Sequence, residues 1–206
     1  DQSQKYWPQH TDSTQDLLLV DIDGDGDQDI IEGIEHGASN IYLNQKGKFK
    51  EANERIPDMS TYECRKVAAA DVDQDGDQDL FFCHVAWTQG RNPENILMLN
   101  DGKGFFEFSP HPIPQEQTTT LDAIFYDVNQ DGKPDLLTTN LGSTHNFQLY
   151  LNQSNGKEIK FEENHSIFPE VKYSGGISMV KLELGNGKTG FYLGNYKSVD
   201  HLLIEK

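Results

Sequence analysis

Three stretches of the chain set acidic residues at alternate positions around a shared glycine, with Asn and Lys at two of those positions in the third: DIDGDGDQD from Asp21, DVDQDGDQD from Asp71 and DVNQDGKPD from Asp127. Oxygen-bearing side chains fall at positions 1, 3, 5 and 9 of each stretch, with glycine at position 6. A hard divalent cation needs such a set, because Ca2+ takes about six to eight oxygens at roughly 2.3 to 2.6 Å. The expected side-chain ligands are Asp21, Asp23, Asp25 and Asp29 in the first loop, Asp71, Asp73, Asp75 and Asp79 in the second, and Asp127, Asn129, Asp131 and Asp135 in the third. Position 7 contributes a backbone carbonyl in such loops, here from Asp27, Asp77 and Lys133. The reading is three Ca2+ sites. The third is expected to be the weakest, because the Asn129 amide keeps an oxygen but carries no charge. Gly26, Gly76 and Gly132 fall where the loop must turn sharply, with φ positive.

Solvated acidic turns are the plain alternative, since Asp, Asn and Gly are common in turns. Three copies in one frame argue against it, as does the lack of Lys or Arg inside the first two loops. An EF-hand fits the first loop alone, with Glu32 at position 12. The copies exclude it, because position 12 is Phe82 in the second loop and Thr138 in the third. The flanks agree with that exclusion. LLLV before Asp21, IIEGI after Asp29, KVAAA before Asp71 and LFFCHV after Asp79 are short apolar runs that read as strands.

A second signature follows each loop: NIYLNQKGKF from Asn40, NILMLNDGKGF from Asn95, and NFQLYLNQSNG from Asn146 with Phe161 beyond it. Each reads as a strand, a Gly-containing turn and a strand entered by an aromatic. One repeat is therefore four strands, A and B around the acidic loop, then C and D. The spacing of about fifty residues points to a propeller or solenoid. A fourth copy, MVKLELGNGKTGFYL from Met179, has Leu182, Leu184, Asn186 and Gly190 at the ligand positions. It is expected to close as a metal-free hairpin, with a strand C from Asp200 and no strand D.

The acidic loops together with the N-x-L-x-L-N-x-G segments resemble the FG-GAP or VCBS repeat family. The resemblance implies an all-β fold, a β-propeller of four-stranded blades with calcium in the A–B hairpin. It further implies a secreted or cell-surface protein engaged in adhesion or ligand recognition. The expected domain is a single unit, 1–206, with repeats near 15–56, 64–113, 118–168 and 175–206. Four blades are enough for closure, and a compact four-bladed form is the favoured expectation. The alternative is part of a larger seven- or eight-bladed propeller, because an open fourth blade exposes an edge that the N-terminal segment or a partner must cover.

The 206 residues suffice for one all-β core. The formal charge of −17 opposes nucleic-acid binding and attachment to anionic membrane, and no apolar stretch reaches membrane-spanning length. Calcium loops of this type fill where the free ion is near millimolar, which favours a secreted, periplasmic or cell-surface location. Cys64 and Cys83 are offset in the expected hairpin, which strains a disulfide, so two buried thiols are the favoured reading. Asn152 and Asn164 each open a glycosylation acceptor pattern.

In a propeller the A–B and C–D turns share one face, and the B–C loops and D–A connectors share the other. That second face carries Trp87 and Arg91, the leading candidates for ligand binding, because Trp and Arg dominate binding hot spots. Tyr6, Trp7, His10, Arg55, Tyr62, His111 and Tyr173 are expected in its connectors, with Trp7 and Tyr62 as readily serving as packing. Dispersed histidines (His10, His36, His111, His145, His165) lack ligand-type spacing. The expected function is non-enzymatic, calcium-stabilised recognition of a protein or carbohydrate ligand. The alternatives are a hydrolase or lyase using the loop face, or a structural subunit that self-assembles through the open fourth blade.

Overall fold

The computed structural model describes residues 3–8, 11–111, 113–114, 119–142, 146–169, 175–185 and 187–204. Among these residues fifteen strands form four antiparallel sheets. The first holds β1 (Thr14–Val20), β2 (Asp29–Ile34), β3 (Asn40–Asn44) and β4 (Phe49–Glu51). The second holds β5 (Cys64–Ala70), β6 (Asp79–His84), β7 (Ile96–Asn100) and β8 (Phe106–Phe108). The third holds β9 (Thr119–Tyr126), β10 (Asp135–Leu141), β11 (Phe147–Asn152) and β12 (Phe161–Glu163). Among the described residues the fourth holds β13 (Gly176–Glu183), β14 (Thr189–Asn195) and β15 (His201–Ile204). Besides one short helix, α1 (Ser3–Tyr6), and a 3-10 turn at Asn53–Arg55, the ordered elements are all β. No helix among the described residues is long and apolar enough to cross a membrane.

The sheets are blades, and each inter-blade space holds one apolar cluster. Ile31 and Ile41 of blade 1 meet Leu80, Phe82 and Met98 of blade 2. The opposite face of blade 2, with Phe81 and Leu97, meets Leu136 and Tyr150 of blade 3. Leu137 and Leu149 of blade 3 meet Phe191 and Leu203 of blade 4. Burial of each such side chain stabilises by about 1.5 to 3 kcal/mol. This double-sided packing explains why DLFFCH in β6 is buried throughout and apolar on both faces, whereas β1 alternates.

The first strands are innermost: β1 packs on β5, β5 on β9, and β9 on β13. Hydrogen bonds tie the inner strands across blades, the Val67 amide donating to Asp16 Oδ2 at 2.9 Å and the Met179 amide to Asp122 Oδ2 at 2.7 Å. Among the described residues no comparable packing returns from β13 to β1. The arrangement is propeller-like with four blades, and its sheets do not close into a ring. The expected compact closure is therefore corrected to an open arc.

Both ends of the arc follow from that opening. On blade 1 the N-terminal segment covers part of the outward face, with the Trp7 ring 4.4 Å from that of Tyr42 and 5.1 Å from that of Phe49. Leu17 and Leu19 beside them stay exposed. On blade 4, Val180, Tyr192 and Leu202 form one cross-strand row, and all three are exposed. Their counterparts Leu137 and Leu149 in blade 3 are buried by the next blade.

The hairpin of blade 2 pairs Ala70 with Asp79, so Cys83 faces Lys66. Cys64 points into the cluster between blades 1 and 2 and Cys83 into that between blades 2 and 3. Both thiols are free and buried, held apart by the sheet itself. In blade 4, Leu182 and Gly190 pair directly as strand residues, and a short turn closes through Leu184 donating to the Lys188 carbonyl at 2.9 Å. That hairpin leaves no room for an acidic loop. Asn186 lies outside the described residues.

Candidate functional site

Each acidic loop begins one residue after strand A and ends on the first residue of strand B. All three share one backbone. Gly26, Gly76 and Gly132 have φ of 89°, 100° and 87°, as the position demands, and position 4 is left-handed as well, at Gly24 (73°), Gln74 (62°) and Gln130 (59°). Left-handed φ is costly for a residue with a Cβ, so two glutamines held there mark a loop fixed by its hydrogen bonds.

Those bonds recur by position. The position-1 carboxylate accepts two loop amides: Asp21 from Gly24 (2.8 Å) and Gly26 (2.9 Å), Asp71 from Asp75 (3.0 Å) and Gly76 (3.0 Å), and Asp127 from Asp131 (3.0 Å) and Gly132 (2.8 Å). The position-5 carboxylate accepts the amide of position 7 in Asp25, Asp75 and Asp131. At position 9, Asp29 accepts the amides of Ile22 (3.1 Å) and Asn44 (2.8 Å), Asp79 those of Val72 (3.0 Å) and Asn100 (2.9 Å), and Asp135 those of Val128 (2.9 Å) and Asn152 (2.8 Å). Strand C thus enters the site, because its terminal Asn grips the last acid of the loop.

Side chains at position 7 serve the C–D turn. Asp27 Oδ2 accepts the Lys46 amide at 3.3 Å, the Asp77 carboxylate lies against Gly102, and Lys133 Nζ donates to the Ser154 carbonyl at 2.6 Å.

Among the described residues, acid, His and Cys groups converge tightly enough for an ion in two places. Carboxylate oxygens of Asp21, Asp23 and Asp25 lie within 4.8 Å of one another, as do those of Asp71, Asp73 and Asp79. Third-loop geometry is weaker in charge, since Asn129 replaces an acid and donates its Nδ2 to Asp131 Oδ2 at 3.0 Å.

The loops fit a cation on two counts. Asp23 Oδ1 is buried and has no hydrogen-bond partner, a costly state for a carboxylate oxygen. Burial also raises the pKa of Asp29, Asp73 and Asp135, and pushes Asp79 to about 7 against the opposing amides of Asn100 and Val72, with Asp73 and Asp75 adding repulsion. Positive charge is what such a group lacks. One side chain answers part of it from outside the loop: Arg55 Nη1 lies 3.7 Å from Asp23 Oδ2 and donates to the Lys103 carbonyl at 2.5 Å, with its guanidinium 4.7 Å over Phe105. Arg55 therefore serves the acidic-loop face, contrary to its expected place among the loop-face connectors.

Residues 21–82 match the FG-GAP-like repeat. The chain carries an FG-GAP-like repeat. The matched stretch takes in the first two acidic loops and the strand C and D pair between them, the elements whose bonds are described above. Loop 3 repeats the same backbone beyond the match. No curated protein matches the chain. Glu32, the residue that mimics an EF-hand, sits in β2 and accepts from Asn40 Nδ2 (3.0 Å) and the Tyr42 hydroxyl (3.1 Å), so it is committed to the first blade.

On the opposite face, Trp87 is 55% exposed and lines a cavity together with Arg65, Leu121, Leu141, Ile177 and Tyr196. Arg91 is not brought to it; its Nη1 is bound to the Ser60 carbonyl, and its amide donates to Thr88. Sequence reasoning missed Arg65, Leu121 and Ile177. No sequence signal marked them, because their place depends on how strands A and B pair. Tyr62 packs on buried His84 with the rings tilted and their centroids 4.6 Å apart, a packing role. His10, His145 and Tyr173 lie outside the described residues. Asn152 is fully buried, with its Nδ2 donating to the Val72 (2.9 Å) and Pro134 (3.2 Å) carbonyls, which closes that acceptor pattern to glycosylation in the folded chain.

Proposed function

We propose that this chain is a calcium-stabilised recognition module whose opposite loop face takes a protein or carbohydrate ligand. The observation that supports it best is the shared loop backbone with unneutralised carboxylates, above all the buried, unpartnered Asp23 Oδ1. Side-chain oxygens at positions 1, 3, 5 and 9 would hold the ion in each loop, completed by the carbonyls of Asp27, Asp77 and Lys133. The ion's charge would stabilise ionised acids that burial disfavours, and would brace strand A against strand B. Its role is structural. Such loops fill near millimolar free Ca2+, which favours a secreted, periplasmic or cell-surface setting.

Calorimetric titration of chelator-treated protein with Ca2+ is the test. Three binding events, the weakest removed by substitution at Asn129, are expected; no heat with Ca2+ and an unchanged melt would sink the reading. The exposed Val180–Tyr192–Leu202 row favours a second reading, self-assembly through the open fourth blade. Light scattering that shows a monomer at all concentrations removes it.

A further inference from the structure

A cavity of about 470 Å3 opens on the loop face where the inner strands of blades 2, 3 and 4 meet. One repeated device builds it. Near the start of strand A in every blade the pairing slips by one residue, leaving Gln15, Arg65, Leu121 and Ile177 as the extra residue. A bulge of this kind bends the strand and re-aims a side chain. The extra residues of blades 2, 3 and 4 all line the cavity, and Trp87, Leu141 and Tyr196 complete the wall from the ends of strands B and the loops that follow.

Among the described residues that line it, Arg65 is the one charged group, and its charge is already met. Arg65 Nη2 lies 2.6 Å from Glu35 Oε1 and 3.4 Å from Glu63 Oε1, and Nη1 donates to Gln15 Oε1 at 2.7 Å. Its guanidinium sits 4.2 Å over the Trp87 ring, while its Nε–H is buried with no partner.

We propose that this cavity, resting on the recognition reading above, takes a large apolar side chain presented by a basic peptide segment. The other five lining side chains are aliphatic or aromatic, so the hydroxyls of a sugar would lose water without gaining partners. An anionic group meets Glu35 and Glu63 beside Arg65 and a chain of formal charge −17. Lys or Arg flanking the apolar residue is drawn by that same field. Trp87 and Tyr196, both exposed at the cavity, are the residue types that anchor such contacts.

A random peptide library displayed on phage, panned on the full chain in Ca2+, tests this, with synthetic hits titrated into the native chain and into Trp87→Ala, Ile177→Asp and Arg91→Ala. Hits are expected to share one large apolar residue beside Lys or Arg. Their affinity should fall at least roughly tenfold in Trp87→Ala and Ile177→Asp, as for loss of an anchor, and stay unchanged in Arg91→Ala. Both cavity positions are partly exposed, so circular dichroism should report native folding. Hits without an apolar residue, or binding unaffected by both cavity variants, overturn the proposal. So do glycan-array hits that Trp87→Ala abolishes, which would leave the recognition reading standing. Silence on both library and array removes the recognition reading together with the proposal.

Discussion

The side-chain amide of Asn100 donates to the carbonyl of Ile22, 2.9 Å away and 78 residues earlier in the chain. Ile22 belongs to the first acidic loop and Asn100 to strand C of the second blade. The same Asn donates to the Gln78 carbonyl (3.1 Å) and, through its backbone, to Asp79 (2.9 Å). Asn152 repeats the pattern one blade on, reaching Val72. Each loop is thus fastened to the next through one buried asparagine.

Asn44 occupies the equivalent place in blade 1, and among the described residues its Nδ2 reaches only the Gln28 carbonyl (3.0 Å). Replacement of Asn100 or Asn152 by alanine should cost about 2 to 3 kcal/mol, since each strands buried carbonyls, against about 0.5 to 1 kcal/mol for Asn44→Ala. Urea unfolding measures the difference, and equal costs at all three positions would refute the latch.

Chelation should lower the melting temperature. Binding only to the folded chain adds about 1.4 kcal/mol per site at roughly ten times the dissociation constant, so three sites correspond to about 8 to 16 °C for a chain this long. Asp23→Asn should lose the calcium increment of its own loop and little else. Asp29→Ala should be destabilised even in chelator, because Asp29 also holds the Ile22 and Asn44 amides. Differential scanning calorimetry with and without Ca2+ separates the two effects.

Gln130 holds a left-handed backbone (φ 59°) that Gly24 adopts freely in the first loop. Gln130→Gly should therefore stabilise the chain by about 0.5 to 1 kcal/mol, the relief of left-handed strain less the entropy of glycine. A loss of stability in denaturant unfolding would show that the glutamine side chain matters more than its backbone.

His84 is fully buried, its Nδ1 2.8 Å from the Glu94 carbonyl, and burial pushes its pKa down to about 4. The unfolded chain then binds the proton that the folded chain refuses between about pH 6.5 and 4. Its contribution is present above about pH 6.5 and lost as pH falls through that window, by up to about 3 kcal/mol. His84→Gln should flatten the acid limb of stability against pH over this range, read by urea unfolding at successive pH values. An unchanged slope would place His84 in solvent.

Most of the site was legible because it is local. Nine residues fix the acidic loop, and the short apolar runs around Asp21, Asp71 and Asp127 declare hairpins by themselves, as does the missing acid in the fourth copy. Arg55 was misplaced because a long side chain reaches back from its connector to Asp23, a distance that linear spacing does not encode. The slipped pairing at Arg65, Leu121 and Ile177 was invisible for a related reason, since a bulge depends on how two strands match, and the cavity depends on three bulges meeting. Residue type and spacing alone determined the oxygen-rich loops and the four-stranded unit. Tertiary packing decided that the arc stays open, that Asn100 and Asn152 join neighbouring loops, and that Trp87 rather than Arg91 lines the cavity, because those outcomes require groups from different blades to come together.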